Sequence, residues 1–215
     1  MSQGEKPAYQ DRSRRTREKI VTALDAALKE KPFDQVSVAE IAQRAGIAVG
    51  TVYRRFENKD ALIPVIFEIY KTRVEAMLDG DSAVEVEPNE GLRSVLQKVM
   101  RKTWTICARE AHLLRAVHLY ARLKPELANG EDWKKYEQAS AQSIAMIINH
   151  YAAQVKRKKL KRASAFVTYM INSAFIEKSL YPDEAPATFF PYSGKTLADE
   201  FADMLYAYLS LPDQK

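Results

Sequence analysis

Residues Ser37 to Phe56 read SVAEIAQRAGIAVGTVYRRF, and this stretch restricts the fold more than any other. Apolar residues recur at three- and four-residue steps on both sides of Gly46, the period of a helix rather than a strand. Ser37 is placed to cap a short helix through Ala45, and Glu40 three residues later completes a capping box. Gly46 permits a backbone turn that L-residues resist. After the Ile47-Ala48 turn a further helix is expected from about Val49 to Phe56. Two short helices joined by a glycine turn make a helix-turn-helix. Ile41, Ala42, Ala45, Ile47, Val52 and Phe56 form its inner face, with Ala42 small where the helices cross.

The same period runs through most of the chain, and 7 glycines and 9 prolines in 215 residues leave little to break it. An all-α fold of about nine helices is therefore expected. The first spans Asp11 to Lys29, with Ile20, Leu24, Ala27 and Leu28 on one face. Asn58 caps a fourth reaching roughly Leu78, in which Pro64 should bend the helix or remove one hydrogen bond. Asp79 to Pro88 reads as an acidic loop. Five more helices cover Asn89 to Arg109, Ala111 to Leu123, Glu131 to about Arg157, Ala163 to Leu180 and Lys195 to Leu209. The domain division falls at 1–57 and 58–215.

Hydrophobic content of 47% and charged content of 28% are those of a globular chain. The net charge of +5 favours an anionic partner only weakly. A single cysteine, Cys107, forms no internal disulfide and fits a reducing compartment. The first 19 residues are polar and basic, unlike a signal peptide. The uncharged run from Ala139 to Val155 carries Gln, Ser, Asn and His, and reads as a buried helix rather than a membrane span. A cytoplasmic protein with no membrane partner is expected.

Val49, Gly50, Thr51, Tyr53 and Arg54 fall on the face opposite Val52 and Phe56. They are short at the helix N-terminus and long and polar further on, a shape that can enter the DNA major groove. Val49 suits a thymine methyl, Thr51 a base or a phosphate, Arg54 guanine O6 and N7, and the hydroxyls of Thr51 and Tyr53 suit phosphate oxygens. Ser37, Arg55 and Lys59 join them as candidate contacts. Lys59, at the start of the fourth helix, is placed to hold a phosphate. Ahead of the first helix core, Arg12, Arg14, Arg15, Arg17 and Lys19 form a basic arm suited to tracking the DNA backbone.

The pattern Phe33-Asp34-x-Val36-Ser37-Val38-x-x-Ile41-Ala42-x-x-Ala45-Gly46-x-x-x-Gly50-Thr51-Val52-Tyr53-x-x-Phe56-x-x-Lys59-x-x-Leu62 resembles the signature of TetR-type transcriptional regulators. The resemblance covers roughly the first third of the chain. It implies a homodimer, an N-terminal three-helix DNA-binding domain, an effector domain below it, and dimerisation through the last two helices. By it, Thr51, Tyr53 and Lys59 match positions that often touch the DNA backbone, while Val49, Gly50 and Arg54 lie where bases are read. Ala48 departs from it, because many members carry Ser or Thr there as a helix cap; such a loss typically costs about 1 kcal/mol.

In the C-terminal helical ligand-binding and dimerisation domain, Phe67, Tyr70, Met100, Trp104, Cys107, Leu114, His118 and Tyr120 are candidate lining of a small-molecule cavity between the fourth and seventh helices. Helically spaced aromatics are also what an ordinary core contains. Phe166, Met170, Ser173 and Ala174 on one helix, and Leu197, Phe201 and Leu205 on the last, are candidate dimer stripes that would join a four-helix bundle. His112 and His118 are six apart and off one helical face, so no metal site is expected. Lone His150 reads as a core histidine, and Cys107 as an inert buried thiol or a redox sensor. The run KRKKLKR, Lys156 to Arg162, is a solvated helix end favoured by the helix dipole or a second DNA contact. The aromatic segment Tyr181 to Gly194 is placed either over the cavity or across a partner.

An enzyme is disfavoured. The chain has no Glu-x-x-His pair and no Gly-x-Ser-x-Gly elbow. Gly194-Lys195-Thr196 imitates a phosphate loop, but Phe189 stands where its first glycine belongs. No cofactor is expected. The partners expected are a double-stranded DNA operator, a small-molecule effector and a second copy of the chain. The reading is thus a ligand-responsive dimeric repressor on a near-palindromic operator. An activator of the same fold, or a sequence-blind architectural DNA protein, is the alternative. The latter needs widely spread basic charge, whereas the first 60 residues carry 12 basic and 9 acidic side chains.

Overall fold

Ile20, Leu24, Ala27 and Leu28 are buried on one face of the first helix, as their spacing demands. The computed structural model describes residues 6–78, 85–128 and 130–213, and there that face belongs to α1 (Lys6–Glu30). Against it pack α2 (Val38–Ala45) and, turned across α2, α3 (Val49–Tyr53). A 3₁₀ turn, Lys59–Leu62, leads into α4 (Ile63–Leu78). Then come α5 (Leu92–Arg109), α6 (Ala111–Leu123), α7 (Pro125–Ala128), α8 (Glu131–His150), α9 (Leu160–Leu180) and α10 (Gly194–Ser210). The described residues thus form ten helices and no strand, and none of the helices is long and apolar enough to cross a membrane.

Several boundaries differ from expectation, each for a local reason. Asn58 caps the 3₁₀ turn by accepting from the Ala61 N–H at 3.0 Å, and the α-helix restarts at Ile63. Pro64 therefore falls in the first turn of α4, where its missing N–H has no helical partner to lose. The short α7 escaped notice because it holds only four residues, opened by Pro125. Helix α8 stops at His150 rather than near Arg157, because the following backbone and side chains bond elsewhere. Gln154 accepts from Leu92 N–H at 2.9 Å, Lys156 N–H reaches Leu209 O at 2.9 Å, and the Arg157 guanidinium reaches Tyr208 O at 2.8 Å. Most of the expected loop after α4 lies outside the described residues.

Those bonds place the basic run Lys156 to Arg162 at the start of α9, not at a helix C-terminus, so the dipole there opposes its charge. Asp213 supplies the compensation, accepting from Lys158 N–H and pairing with Arg157 and Arg162. The run follows Gln154, which accepts from Leu92 N–H at the N-terminal end of α5. The 18 residues of α5 span roughly 27 Å.

Helix α10 lies along α5, tied by Arg93 to Asp203 at 2.8 Å and by Arg101 to Asp199. At its first residue the backbone rests on the Trp104 ring, and a Cβ on Gly194 would overlap that ring. Trp104 is held from the other side by the edge of Phe175, centroids 6.1 Å apart. Gly194 is therefore explained by packing, and Trp104 belongs to the α5–α10 contact rather than to a cavity. Gly194→Ala is expected to cost about 2 kcal/mol, the range for overpacking, and to lower Tm by roughly 4–8 °C. In a Trp104→Leu background the same change should cost under about 0.5 kcal/mol. Equal losses in both backgrounds, read by urea unfolding, would contradict the contact.

Candidate nucleic-acid interface and effector cavity

Local chemistry builds the helix-turn-helix. Ser37 Oγ accepts from Glu40 N–H at 3.1 Å, capping α2. The capping box is only half made, since the Glu40 carboxylate turns to Lys31 and Arg44 instead. Gly46 adopts φ 65°, and the N–H groups of Gly46 and Ile47 both close back onto Ala42. This left-handed closure is the one glycine makes at lowest cost. Ile41, Ala42, Ala45 and Val52 are buried, with Ile47 and Phe56 half-buried beside them.

Regular helix ends at Tyr53, three residues early. Ala48 provides no side-chain cap, and Arg54 and Arg55 continue as a turn closed by Phe56 N–H onto Val52 O at 2.9 Å. The outward face stands as spaced: Val49 is 40% exposed and Tyr53 51%. Gly50 and Arg54 are exposed as well, and Thr51 is half-buried. Arg54 Nη2 donates to Thr51 Oγ1 at 2.9 Å, which holds the guanidinium along the helix. Arg55 turns back to Ser13 Oγ at 3.0 Å and joins α3 to α1.

The remaining candidates differ in how free they are. Lys59 donates to Asp34 O at 2.8 Å and lies over the Phe33 ring, 4.9 Å from its centroid. Burial lowers its pKa, with Asp34 and Asp60 opposing. It fastens the loop ahead of α2, and its remaining donors stay available. On α1, Arg14 pairs with Asp11 and Glu18, and Arg17 with Glu68 of α4. Arg15 is exposed and makes no ion pair among the described residues.

A cavity of about 360 Å³ opens among α4, α5, α6, α8 and α9. Of the candidates, Tyr70, Cys107, Leu114 and His118 line it. The others point elsewhere. Phe67 packs on Trp133 and borders a separate cleft of 270 Å³; Met100 is fully buried in the core. Tyr120 stands edge-on to Phe33, centroids 5.5 Å apart, on the side of α6 that faces the first helices. Sequence reasoning missed Trp133, Tyr136, Thr168, Asn172 and Ile176, which complete the wall. The three-residue spacing of Trp133 and Tyr136 was the available signal. Burial pushes the Cys107 thiol up to about 12, so it is a lining group and no thiolate. No residue of the Tyr181 to Gly194 segment lines this cavity; Lys178 ties that segment to α9 through Ala187 O and Phe190 O.

Above the cavity lies a buried ionic cluster that no motif announced. Asp25 of α1 is 8% exposed and Glu110 4%. Arg73 of α4 bridges them, at 2.7 Å to Asp25 and 2.9 Å to Glu110. His112 Nε2 is 3.0 Å from the other Asp25 oxygen and Lys29 is 3.3 Å away. Arg73 is three residues beyond Tyr70, and Glu110 three beyond Cys107, so the helices that wall the cavity also hold α1.

Two of the proposed dimer residues are corrected. Phe201 and Leu205 are buried within the protomer, Phe201 against Phe175 at 5.4 Å. The periodicity of α10 does not say which of its faces meets α5. Met204 of α10 is exposed, and Phe166 of α9 meets Tyr208 of α10, centroids 4.9 Å apart; Phe166, Tyr169 and Ser173 are exposed on α9, with Met170, Ala174 and Leu197 half-buried. His150 is exposed rather than a core histidine.

Residues 20–66, from the buried face of α1 through the start of α4, match the sequence model of bacterial regulatory proteins of the tetR family. Over these residues the chain carries the DNA-binding segment of the TetR family. Among relatives, it is 30% identical over 132 residues to the uncharacterised HTH-type transcriptional regulator YvdT of Bacillus subtilis, across 61% of this chain and 64% of that protein. It is 26% identical over 93 residues to the HTH-type transcriptional regulator TtgR of Pseudomonas putida, across 43% and 44%. The chain thus spans less than two thirds of the length of these relatives. Solved structures extend the likeness of fold. A tetR-family regulatory protein from Rhodococcus superposes with a TM-score of 0.67 at 16% identity, covering 92% of this chain and 98% of that one. FadR of Bacillus subtilis, in complex with stearoyl-CoA, gives 0.63 at 18% identity over 90% and 98%. Both sequence relatives are named as transcriptional regulators.

Proposed function

We propose that the chain is a ligand-responsive transcriptional repressor of the cytoplasm, which holds a near-palindromic DNA operator as a homodimer and leaves it when a small molecule enters the cavity. The observation that carries this is the outward face of α3. Its leading residues Val49 and Gly50 are small and solvent-exposed, with Tyr53 and Arg54 projecting beyond them. Residues 1–57, with the part of α1 that carries Arg14, Arg15 and Arg17, serve DNA, and residues 58–215 serve effector and partner. Ser37, Thr51, Tyr53, Arg55 and Lys59 hold the phosphate backbone, while Val49, Gly50 and Arg54 read bases. The exposed stripe of α9 with Met204 of α10 pairs two copies, setting the recognition segments about 34–36 Å apart or a multiple of that. The Arg73 bridge passes a shift of α4 or α6 to α1, and so changes that spacing.

Selection of bound duplexes from a random pool tests the proposal, with Tyr53→Ala as control. An inverted repeat recovered only by the unmutated protein supports it. No enriched sequence at moderate salt would favour the architectural reading and sink the regulator. On the selected site, Arg54→Ala should cost about 1–3 kcal/mol and relax one base position, while Lys59→Ala should weaken specific and random duplexes alike. Equal losses on both duplexes for Arg54→Ala would remove its base-reading role.

A further inference from the structure

The cavity walls restrict what can enter, on the reading that this is the effector site. Leu114, His118 and Arg122 follow one another at four-residue steps on α6, so they share one face of that helix, and all three line the cavity. Along this stripe Leu114 is buried, His118 half-buried and Arg122 exposed. The wall therefore grades from an apolar floor to a cationic rim. Half-buried Ala121, Tyr136 and Ile176 add apolar lining that is not sealed into the core.

The two charged residues of the lining are not equivalent. Glu137 accepts from Trp133 Nε1 at 2.9 Å, so a buried indole explains the carboxylate there. Arg122 has no such partner. Its Nη1 donates to His118 O at 2.7 Å, one turn back on its own helix, and among the described residues it makes no ion pair. The last turn of a helix favours a cation, but this bond occupies one of five guanidinium donors. It also draws the guanidinium back beside another lining residue. The charge is felt there: burial first and Arg122 second lower the His118 pKa, which keeps the imidazole neutral with one N–H to give. Elsewhere in these helices Arg73, Arg93 and Arg101 all meet carboxylates.

We propose that the cavity takes a small amphipathic monoanion, its apolar body against Leu114, Ala121, Tyr136 and Ile176 and its carboxylate at the rim against Arg122. A planar guanidinium matches a carboxylate with two parallel N–H bonds, and such charge-assisted bonds are about twice as strong as neutral ones. The carboxylate stays beside exposed Arg122, Ser140 and Ala141, where water still reaches it, so its desolvation is partial. Arg122 and Glu137 do not pair with each other, so a carboxylate in contact with the guanidinium meets Glu137 only at a distance and through water.

Calorimetric titration of the full chain with a naphthalene and a biphenyl series tests this. Each series comprises the carboxylate, the carboxamide and the amidinium, which share one shape and differ in charge. One or both carboxylates, 2-naphthoate and 4-phenylbenzoate, should bind at one site per chain. In the series that binds, the carboxylate should be about 10-fold tighter than the amide and at least about 100-fold tighter than the amidinium. Arg122→Gln should weaken the carboxylate about 10-fold and leave the amide within about twofold. Arg122→Lys should keep part of the preference, and Arg122→Glu should invert it in favour of the amidinium. Should the variants misfold, the unmutated protein decides: raising the ionic strength should weaken the carboxylate and leave the amide unchanged. No binding by either carboxylate, equal or tighter binding of an amide or amidinium, or indifference of the carboxylate to Arg122→Gln each overturns the proposal. Operator binding, measured in parallel, separates this failure from that of the effector reading. A chain that binds the carboxylate through Arg122 but keeps its operator loses the effector reading alone. One that releases its operator to the amide and refuses the carboxylate loses the ligand class alone.

Discussion

Arg73→Met should cost the fold about 3 kcal/mol, with a fall in Tm of roughly 6–12 °C, because it takes the shared cation from two buried carboxylates. Asp25 retains His112 at 3.0 Å and Lys29 at 3.3 Å, but Glu110 is left with Arg109 at 3.7 Å. Partial rescue of this kind keeps the expected loss at the low end of that for broken buried pairs. The triple variant Asp25→Asn, Arg73→Met, Glu110→Gln should recover a large part of it, since neutral groups need no counter-charge. A loss below about 1 kcal/mol for Arg73→Met, the scale of an exposed pair, would show that the cluster is wetter than its burial indicates.

The same variant has a pH signature. Burial by itself pulls the Asp25 pKa upward, but hydrogen bonds from Arg73 and His112 and the charges of Arg73 and Lys29 outweigh it, and the net shift is downward from 3.8. A carboxyl depressed in the folded state contributes stability that is present above its unfolded pKa and lost as pH falls through its folded one. Without Arg73, the upward pull of burial loses its main opponent. Wild type and Arg73→Met should therefore converge in stability on acidification below about pH 4, and differ most near neutrality. A gap that stays constant from neutrality to pH 3, by urea unfolding at each pH, would assign the loss to packing of the arginine stem instead.

How much of this was legible follows from where each signal resides. The cap at Ser37, the left-handed Gly46 and the alternation of Val52 and Phe56 with Tyr53 are local, and a few neighbouring residues specify them. The outward face of α3 could be read for the same reason. Facing between helices is not local. Periodicity marked Phe201 and Leu205 as an apolar stripe without saying that α5 and Phe175 cover it, and it could not tell that Trp104 meets Gly194. The ionic cluster joins residues on α1, α4, α5 and α6 that are far apart in the chain. Its one sequence trace is Asp25 itself, a single carboxylate beside the apolar stripe of Leu24, Ala27 and Leu28. The cavity was half legible, because α4 and α6 show their lining residues in aromatic and apolar runs, whereas Arg122 is distinguished only by the ion pair it does not make among the described residues.

Gly50→Leu should leave the fold intact and reduce operator affinity at least about 100-fold, a loss of roughly 2.7 kcal/mol or more. The argument rests on what the folded chain does not need. A Cβ at Gly50 meets nothing within 4 Å, and the residue has no positive φ. The protein by itself would be better served there by alanine, since glycine inside a helix costs about 0.5–1 kcal/mol. Gly50→Ala should accordingly raise stability by that amount. Gly46, four residues earlier, has equally open space but φ +65°, so Gly46→Ala should lower stability by about 1–2 kcal/mol. Opposite signs at two glycines of one motif would separate a conformational requirement from one imposed from outside. The outside requirement is close approach, because a groove floor that receives the leading edge of α3 has no room for added methyl groups there. If Gly50→Leu binds the selected operator as tightly as wild type, α3 does not enter the groove by that edge, and the reading of Val49 and Arg54 as base contacts falls with it.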